Sequence, residues 1–533
     1  MLLKKQFISA IGLLLFLFVL PVSADEARFR LMERRYTWNS DGSMDFRFRK
    51  ELTLFTHTAM NGTYGETFIT YNPAFQTLTI NESYTRQADG NIVRSPENAF
   101  VEVLPSAAAN APAFNGLREM VVVHTGLEIG ATIYLDYTIH TKSGYMSFME
   151  AAGVLQETSP VELSRLTVEM SGGTESLSVF VNQPRKYGRQ TRKGNTVEWE
   201  FRNLPALSRE PLGLSDNRSN VTFAVCSARP GQVVGILRER FAVQPSPVLR
   251  HLADSLTRSL QTDEEKVKAV NRFLVEGLSA CGVSDVLAGY VRPRLPEDVY
   301  SSVYATRTER AAMAAALLRA AGLDAQVAAV YPNNLPENVR GLANVKDWCI
   351  VWKGTAGKES VCFPSSVSGV PSQDRTALDV ILLSDGEEIP MPAWNAPKEH
   401  KTTVSADQAK SLGNLSVLTL QPLSREVEQW GMGRLASRRE TPMELPGKLS
   451  LCDTYEINVD KAMRWQPGNN TFRIANDCGE VEQRVTETSA GLQVVRRLNI
   501  NSQTIQPADY AKLRRLLVEW CDENHRVFVF ERK

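Results

Sequence analysis

Apolar residues change their spacing twice along this chain. From Glu26 to about Arg238 they recur at every second position. Met44, Phe46 and Phe48 follow the turn signal Asp41-Gly42, and Ile133, Leu135, Tyr137 and Ile139 alternate further on. The same rhythm returns at Leu166, Val168 and Met170, at Val197, Trp199 and Phe201, and at Val221, Phe223 and Val225. A period of two marks a strand with one buried face. Asp89-Gly90, Gly172-Gly173 and Gly194-Asn195 separate the runs as turns. Many short alternating strands between regular turns predict antiparallel β-sandwiches. The length of the region predicts two sandwich-like halves with a break at 151–160.

Near Ala242 helical spacing takes over, after the punctuation Gln244-Pro245-Ser246-Pro247. Residues 248–260 read as one helix. Thr262 and Glu265 form a capping box ahead of the next, whose buried stripe is Val267, Val270, Phe273 and Leu274. A loop with Pro293 and Pro296 leads to 304–322, a helix marked at both ends. Thr306 caps it, Glu309 completes the box three residues on, and Gly322 supplies the left-handed stop. Residues 327–330 read as a short buried strand. Residues 348–353 and 358–363 read as a hairpin around Gly354-Thr355-Ala356-Gly357. The stretch 365–397 is rich in Ser, Gly and Pro and reads as loop or edge structure. Strands return at 492–500 and 527–530. Between them lies one helix, opened by Pro507 and lined by Tyr510, Leu513, Leu517 and Trp520.

The 533 residues have room for three or four domains. At 43% hydrophobic and 23% charged the chain has the composition of a globular, soluble protein. Sixty Lys and Arg balance sixty Asp and Glu, so no global field draws nucleic acid. Lys4 and Lys5, the apolar run 8–20 and Val22-Ser23-Ala24 predict a cleavable signal peptide cut after Ala24. That places the mature protein in the periplasm or outside the cell, with no membrane span after signal removal. Seven cysteines, an odd number, leave at least one without an internal partner. No His, Cys or Asp cluster has metal-ligand spacing and no phosphate-binding glycine loop appears, so no cofactor is expected. The expected division is 1–24 signal, 25–240 β region, 241–365 α+β core, 366–400 linker or edge structure, and 401–533 a β domain with one helix.

The segment ending Leu317-Leu318-Arg319-Ala320-Ala321-Gly322 resembles the nucleophile helix of the transglutaminase-like superfamily. The chain as a whole resembles a bacterial family of exported three-part proteins. These carry an N-terminal β domain of unknown function, a transglutaminase-like core and a C-terminal β domain. Asp89-Gly90-Asn91-Ile92-Val93 fits the first domain's recurring turn, and Leu127-Glu128-Ile129-Gly130, with Ile133 and Tyr137, fits one of its strands loosely. Residues 497–500, then Tyr510 and Trp520, fit the family's final strand and helix. The resemblance implies a multidomain α+β protein: an N-terminal antiparallel β-sandwich region, a transglutaminase/papain-like α+β core, and a C-terminal β domain.

Active members of that superfamily use a cysteine thiolate, a histidine base and an orienting aspartate. The resemblance puts Arg307, Trp348 and Phe363 in those three places. The six histidines are His57, His124, His140, His251, His400 and His525, so none falls between Leu252 and Pro364. A four-residue turn at 354–357 would set Lys353 against Lys358, Cys349 against Cys362 and Trp348 against Phe363. Trp348 and Phe363 would then share the old active-site face. Cys349 and Cys362 would share the other, as a cross-strand disulfide or as two buried thiols. Arg307 reads either as an anion hook or as an exposed arginine paired with a nearby acid. Trp348 and Trp352, four apart and so on one strand face, read either as a stacking surface for a ligand or as core.

The expected function is a catalytically inactive, exported transglutaminase-like protein. It would serve as a scaffold or binding module for peptide, protein or glycan. The alternatives are a peptidase or amide hydrolase using other residues, or an accessory protein in glycan capture or envelope assembly.

Overall fold

The computed structural model describes residues 25–532 apart from 174–175, 183–187, 209, 215, 334, 355–358, 365–377, 391–397, 448 and 469. The expected signal peptide with its cut after Ala24 lies outside the described residues, as does most of the 354–357 turn. Among the described residues no helix is long and apolar enough to cross a membrane.

Strands β1 (Ala27–Trp38), β2 (Met44–Leu54), β3 (Glu66–Tyr71), β4 (Gln76–Arg86), β5 (Ile92–Arg94), β6 (Phe100–Val103) and β7 (Arg118–Val123) open the N-terminal region. They are followed by β8 (Thr132–Thr141), β9 (Glu150–Val154), β10 (Val161–Met170), β11 (Ser178–Val181), β12 (Gly188–Lys193), β13 (Thr196–Leu204) and β14 (Thr222–Cys226). Gly42 and Gly90 take φ of 81° and 91°, the left-handed conformation their turn signals require. Eight of these strands form one sheet in the order β12-β13-β10-β1-β2-β8-β4-β5. This corrects the expected break at 151–160. β1 and β10 pair in parallel, with Arg34 beside Leu166 and Tyr36 beside Val168, so a single sheet runs across that segment. Two smaller sheets cover it. β3-β7-β6 lies over one end, burying Ile69, Val122 and Leu135. The other, β11-β14-β9, takes in the segment that was expected to be a boundary.

Helix α1 (Pro230–Arg240) follows, where the alternating pattern had been read through to about 238. Its Val233-Val234-Gly235-Ile236-Leu237 run is β-like in composition, but Pro230 at the first helical position sets the helical φ. Next come α2 (Pro247–Thr257) and α3 (Asp263–Glu276), the latter with both halves of the Thr262–Glu265 capping box in place. β15 (Ser279–Ala280), α4 (Pro296–Ser302), β16 (Tyr304–Ala305) and α5 (Arg307–Ala320) follow. Every residue of α5 from Thr308 to Leu318 is buried. Alanines on all of its faces let α2, α3 and a sheet approach together, and a helix apolar all round belongs in a core.

That sheet holds β17 (Ala325–Pro332), β18 (Asp347–Lys353), β19 (Glu359–Cys362), β20 (Leu378–Leu382) and β21 (Glu388–Ile389), in the order β19-β18-β17-β20-β21. The stretch 366–400, expected as linker or edge structure, thus supplies two strands. β20 is internal, with Val380 opposite Val330.

The hairpin register also differs from expectation. Ile350 pairs with Cys362, Val351 with Val361, Trp352 with Ser360 and Lys353 with Glu359. The connection is one residue longer than the four-residue turn, and a one-residue slip carries every side chain of a strand to the other face. Cys362 therefore lies with Trp348 and Trp352 on the α5 side. Cys349 lies with Phe363 on the far side. Both thiols are buried and lie on opposite faces of the sheet, so the cross-strand disulfide gives way to two buried thiols.

The C-terminal domain is a sandwich. One sheet runs Lys398–Ser405, Ser450–Asn458, Gly491–Ile500, Gly479–Thr488, Phe472–Asn476; the other runs Lys410–Leu412, Leu415–Thr419, Val527–Arg532, Met463–Gln466. Helix α6 (Tyr510–Cys521) buries Tyr510, Leu513, Leu517 and Trp520, the face its spacing predicts. The whole is a multidomain, β-rich α+β fold.

The register makes a direct chemical prediction. Alkylation of the unreduced, denatured protein followed by peptide mapping finds label on both Cys349 and Cys362. A crosslinked peptide joining the two would contradict their placement on opposite faces.

Candidate functional site

The start of α5 is held by one carboxylate. The Thr306 hydroxyl accepts from the Glu309 N–H at 3.2 Å, and Glu309 accepts from the Thr306 N–H at 2.8 Å. Glu309, 2% exposed, also accepts from Arg294 Nε at 2.6 Å and Nη2 at 3.0 Å. Such a bidentate pair is among the strong ones. Arg294 donates onward to the Tyr304 carbonyl at 2.9 Å, and its guanidinium lies 4.4 Å from the Tyr304 ring centre and 5.4 Å from that of Phe114. The Tyr304 hydroxyl accepts from the Ala113 N–H at 2.7 Å. The N-terminal region is thereby docked on the first turn of α5.

Arg307 stands on that turn with its side chain half exposed. Nη1 donates to the carbonyl of Lys346, immediately before β18, and Nη2 lies 3.5 Å from Asp285. Of its two readings the structure favours the arginine paired with an acid. The pairing offsets the unfavourable placement of a cation at a helix start.

The start of α5 and the start of β18 do meet, as the resemblance implies, but the three side chains do not converge. Trp348 is 1% exposed and packs on Phe241, ring centres 4.7 Å apart. Trp352 is buried beside it in the same core. Phe363 is fully buried on the opposite sheet face. The two tryptophans are therefore core, not a stacking surface, and the shared face expected of Trp348 and Phe363 does not form. The Trp348 indole N–H has no acceptor among the described residues.

A second buried joint went unread in the sequence. Glu150 on β9, 2% exposed, accepts from the Tyr290 hydroxyl and from the Ala343 N–H at 3.2 Å. It lies opposite Cys226 in the β9–β14 ladder. A Cβ at Gly341 would come within 1.9 Å of its carboxylate. Tyr290 and Val291 hold φ of 59° and 63°, an outlying conformation for a β-branched residue. The same loop is gripped at Val286 by the Tyr145 hydroxyl and at Leu287 by Asn72 Nδ2 at 3.1 Å. The available signal was a lone charge in an otherwise apolar strand, Met149-Glu150-Ala151-Ala152.

Burial dominates the titration of these groups. It pushes Glu150 up to about 7, against the pull of the Tyr290 and Ala343 hydrogen bonds. It pushes the Cys226 and Cys362 thiols up to about 12, and Cys281, beside the start of α5, in the same direction. Raised thiols are poor nucleophiles, because the thiolate is the reactive form. Elsewhere on the core, a cleft of about 460 Å³ lies between α1, Glu337, Arg340 and the turn joining β20 to β21. It is remote in its lining from Arg307, Trp348 and Phe363.

Two family models match the chain. One, a domain of unknown function with solved structure (DUF3857), covers residues 40–208; another of the same description (DUF3858) covers 415–530. They flank the core on either side. A crystal structure from Parabacteroides distasonis, which carries the provisional name of a protease, superimposes with a TM-score of 0.80. The two sequences are 36% identical over 95% of this chain and 99% of that one. No curated protein matches.

Both joints give measurable effects. Glu309→Ala leaves the Arg294 guanidinium without its partner and lowers stability by about 3–5 kcal/mol in urea unfolding. Glu309→Gln, which keeps a cap acceptor, loses less; a loss under about 1 kcal/mol for the alanine variant would show that the pair does not hold the helix start.

Glu150 in the fold binds a proton up to about pH 7, whereas its ordinary value is 4.5. Its contribution is therefore fully present below pH 4.5 and is lost as pH rises to about 7, by about 3 kcal/mol in all. The stability of Glu150→Gln relative to the parent should climb across that interval and then level. A constant difference from pH 4 to 8 would mean that Glu150 is ionised in the fold.

Proposed function

Because this chain belongs to the family of the Parabacteroides distasonis protein, matching it over nearly its whole length, we propose that it is an exported transglutaminase-like protein with a catalytically silent core. It acts as a scaffold or binding module for a peptide, protein or glycan. The observation that carries this reading is Arg307. The superfamily's chemistry needs a thiolate where the dipole of a helix start stabilises it, and a histidine at the neighbouring strand. Here the helix start holds a guanidinium bonded to the Lys346 carbonyl and paired with Asp285. The strand offers Trp348, buried in the core. No histidine lies between Leu252 and Pro364 to serve as base. The silent domain in this reading begins near 241 and extends past 365 to take in β20 and β21.

A second reading has one observation behind it, the protease name carried by a relative 36% identical. A peptidase built on this chain would need residues other than those of the family. Cys281 is the cysteine nearest in the fold to the old position, its N–H bonded to the Ala305 carbonyl at 2.9 Å. Burial raises its thiol, which counts against it.

Incubation of the purified protein with a broad peptide library, read by mass spectrometry, separates the two. The expected result is no cleavage above that of Arg307→Ala, and no accelerated labelling of any cysteine by an iodoacetamide probe. Cleavage that alanine at Cys281, Asp285 or Arg307 abolishes would establish the peptidase instead.

A further inference from the structure

The eight-stranded sheet has a stretch of partly exposed inner face between its two covering sheets, bounded on one side by Phe223 of β14, 6.2 Å from the Tyr36 ring. Across β1, β2 and β8 the ladder sets Arg34 beside Phe48 beside Tyr137, and Tyr36 beside Phe46 beside Ile139. Phe48 packs against the core on one side and Tyr137 against the core on the other. Between those cores the four aromatic rings remain half exposed. They touch one another: Tyr36 stacks on Phe46 at 4.8 Å, and Phe48 lies 5.4 Å from Tyr137. Although reached by solvent they titrate as deep groups, Tyr36 pushed up to about 12 by burial and Tyr137 raised for the same reason. Partly exposed rings in mutual contact between the two covering sheets form the floor of a trough.

The trough has a charged end and a polar wall. Arg34 lies 5.8 Å over the Phe48 ring, with Nη2 3.4 Å from Glu157. Its Nη1 is buried and has no partner among the described residues. Lys50, also on this face, donates to the Thr67 hydroxyl at 2.7 Å. That bond puts β3 over β2, and β3 is an outer strand of its sheet, with no strand on its far side among the described residues. A strand added there, ~4.8 Å further out, would lie between β3 and Phe223 of β14, over the Arg34 end of β1.

We propose that this trough binds an extended peptide. The peptide adds as a strand to the free edge of β3, lays alternate apolar side chains on Tyr36, Phe46 and Phe48, and brings a carboxylate to Arg34. Edge addition supplies backbone hydrogen bonds, and pockets for alternate side chains supply selectivity. The orphan guanidinium nitrogen beside one carboxylate and one ammonium calls for a further anion. A glycan has no backbone amide row to pair with the edge of β3, so the peptide is the occupant that uses both the edge and the floor. The inference does not depend on whether the core is silent.

Selection from a displayed library of random octapeptides tests it on the full-length protein. The expected winners alternate apolar residues and carry an acid at a fixed position. Synthesised, they lose tenfold or more in affinity for Arg34→Gln when the acid is present, and little when it is replaced by its amide. N-methylation of every second backbone nitrogen abolishes binding in one frame and spares the other, a readout that needs no protein variant. Phe46→Ser, at a half-exposed site, weakens all winners while melting and circular dichroism stay unchanged. The proposal fails if no peptide is enriched over the Arg34→Gln/Phe46→Ser double variant, or if both methylation frames bind equally. It also fails if a glycan array, and not the peptide library, gives binding that the double variant loses.

Discussion

Glu309 is the constraint on which the centre of this molecule rests. One buried carboxylate closes the first turn of α5 and holds Arg294. Arg294 in turn fixes the Tyr304 backbone and lies on its ring. Isolated, either charge would be expensive to bury; paired and fully hydrogen-bonded, they specify one geometry. Because Tyr304 also takes the Ala113 N–H, the geometry of a helix start decides how the N-terminal region sits on the core. The loop that carries Asp285, the partner of Arg307, is held by the same region at Val286, Leu287 and Tyr290. The start of α5 is therefore a structural junction. A junction needs rigidity, and one buried ion pair at Glu309 with one buried hydrogen-bonded carboxyl at Glu150 provides it.

How much of this was legible depended on distance along the chain. The capping boxes at Thr262–Glu265 and Thr306–Glu309 were readable because both partners lie within one turn. So was the face of α6, set by a helical period alone. The parallel pairing of β1 with β10 was not, since more than a hundred residues separate them and nothing local marks a parallel neighbour. The hairpin register failed on one residue of loop. Gly354 and Gly357 look like the ends of a four-residue turn, yet the ladder closes at Lys353 and Glu359. That single step moved Cys362 to the α5 side and left Phe363 behind the sheet. Glu150 was hidden for the first reason: its partners Tyr290 and Ala343 come from 140 and 193 residues away.

The family resemblance and the geometry bear on different levels. The order of parts along the chain, domain of unknown function, core, second domain of unknown function, follows from the matched spans. The superposition with the Parabacteroides distasonis protein extends that order to the whole fold. Neither speaks to chemistry, because function lives in sites and not in folds. At the site level the informative quantity is the electrostatics at the start of α5. A guanidinium there repels the helix dipole, and its carbonyl and carboxylate partners offset that repulsion.

Under the proposed reading of a silent core, two ways of losing an active site differ. A lone substitution of the nucleophile would leave an open cleft with a histidine still waiting in it. Here the strand that should present the base turns its tryptophan inward against Phe241. The third position lies across the sheet, and the loop facing the helix start is gripped by a neighbouring domain. A cysteine placed at 307 would find no histidine between Leu252 and Pro364 to serve as base. The open surface of the protein has moved instead to the N-terminal sheet, where half-exposed aromatic rings, an orphan arginine nitrogen and an uncovered strand edge lie together. On the proposed reading, packing closes the start of α5, and the partly exposed rings and the edge of β3 are where the proposed binding role finds unsatisfied chemistry.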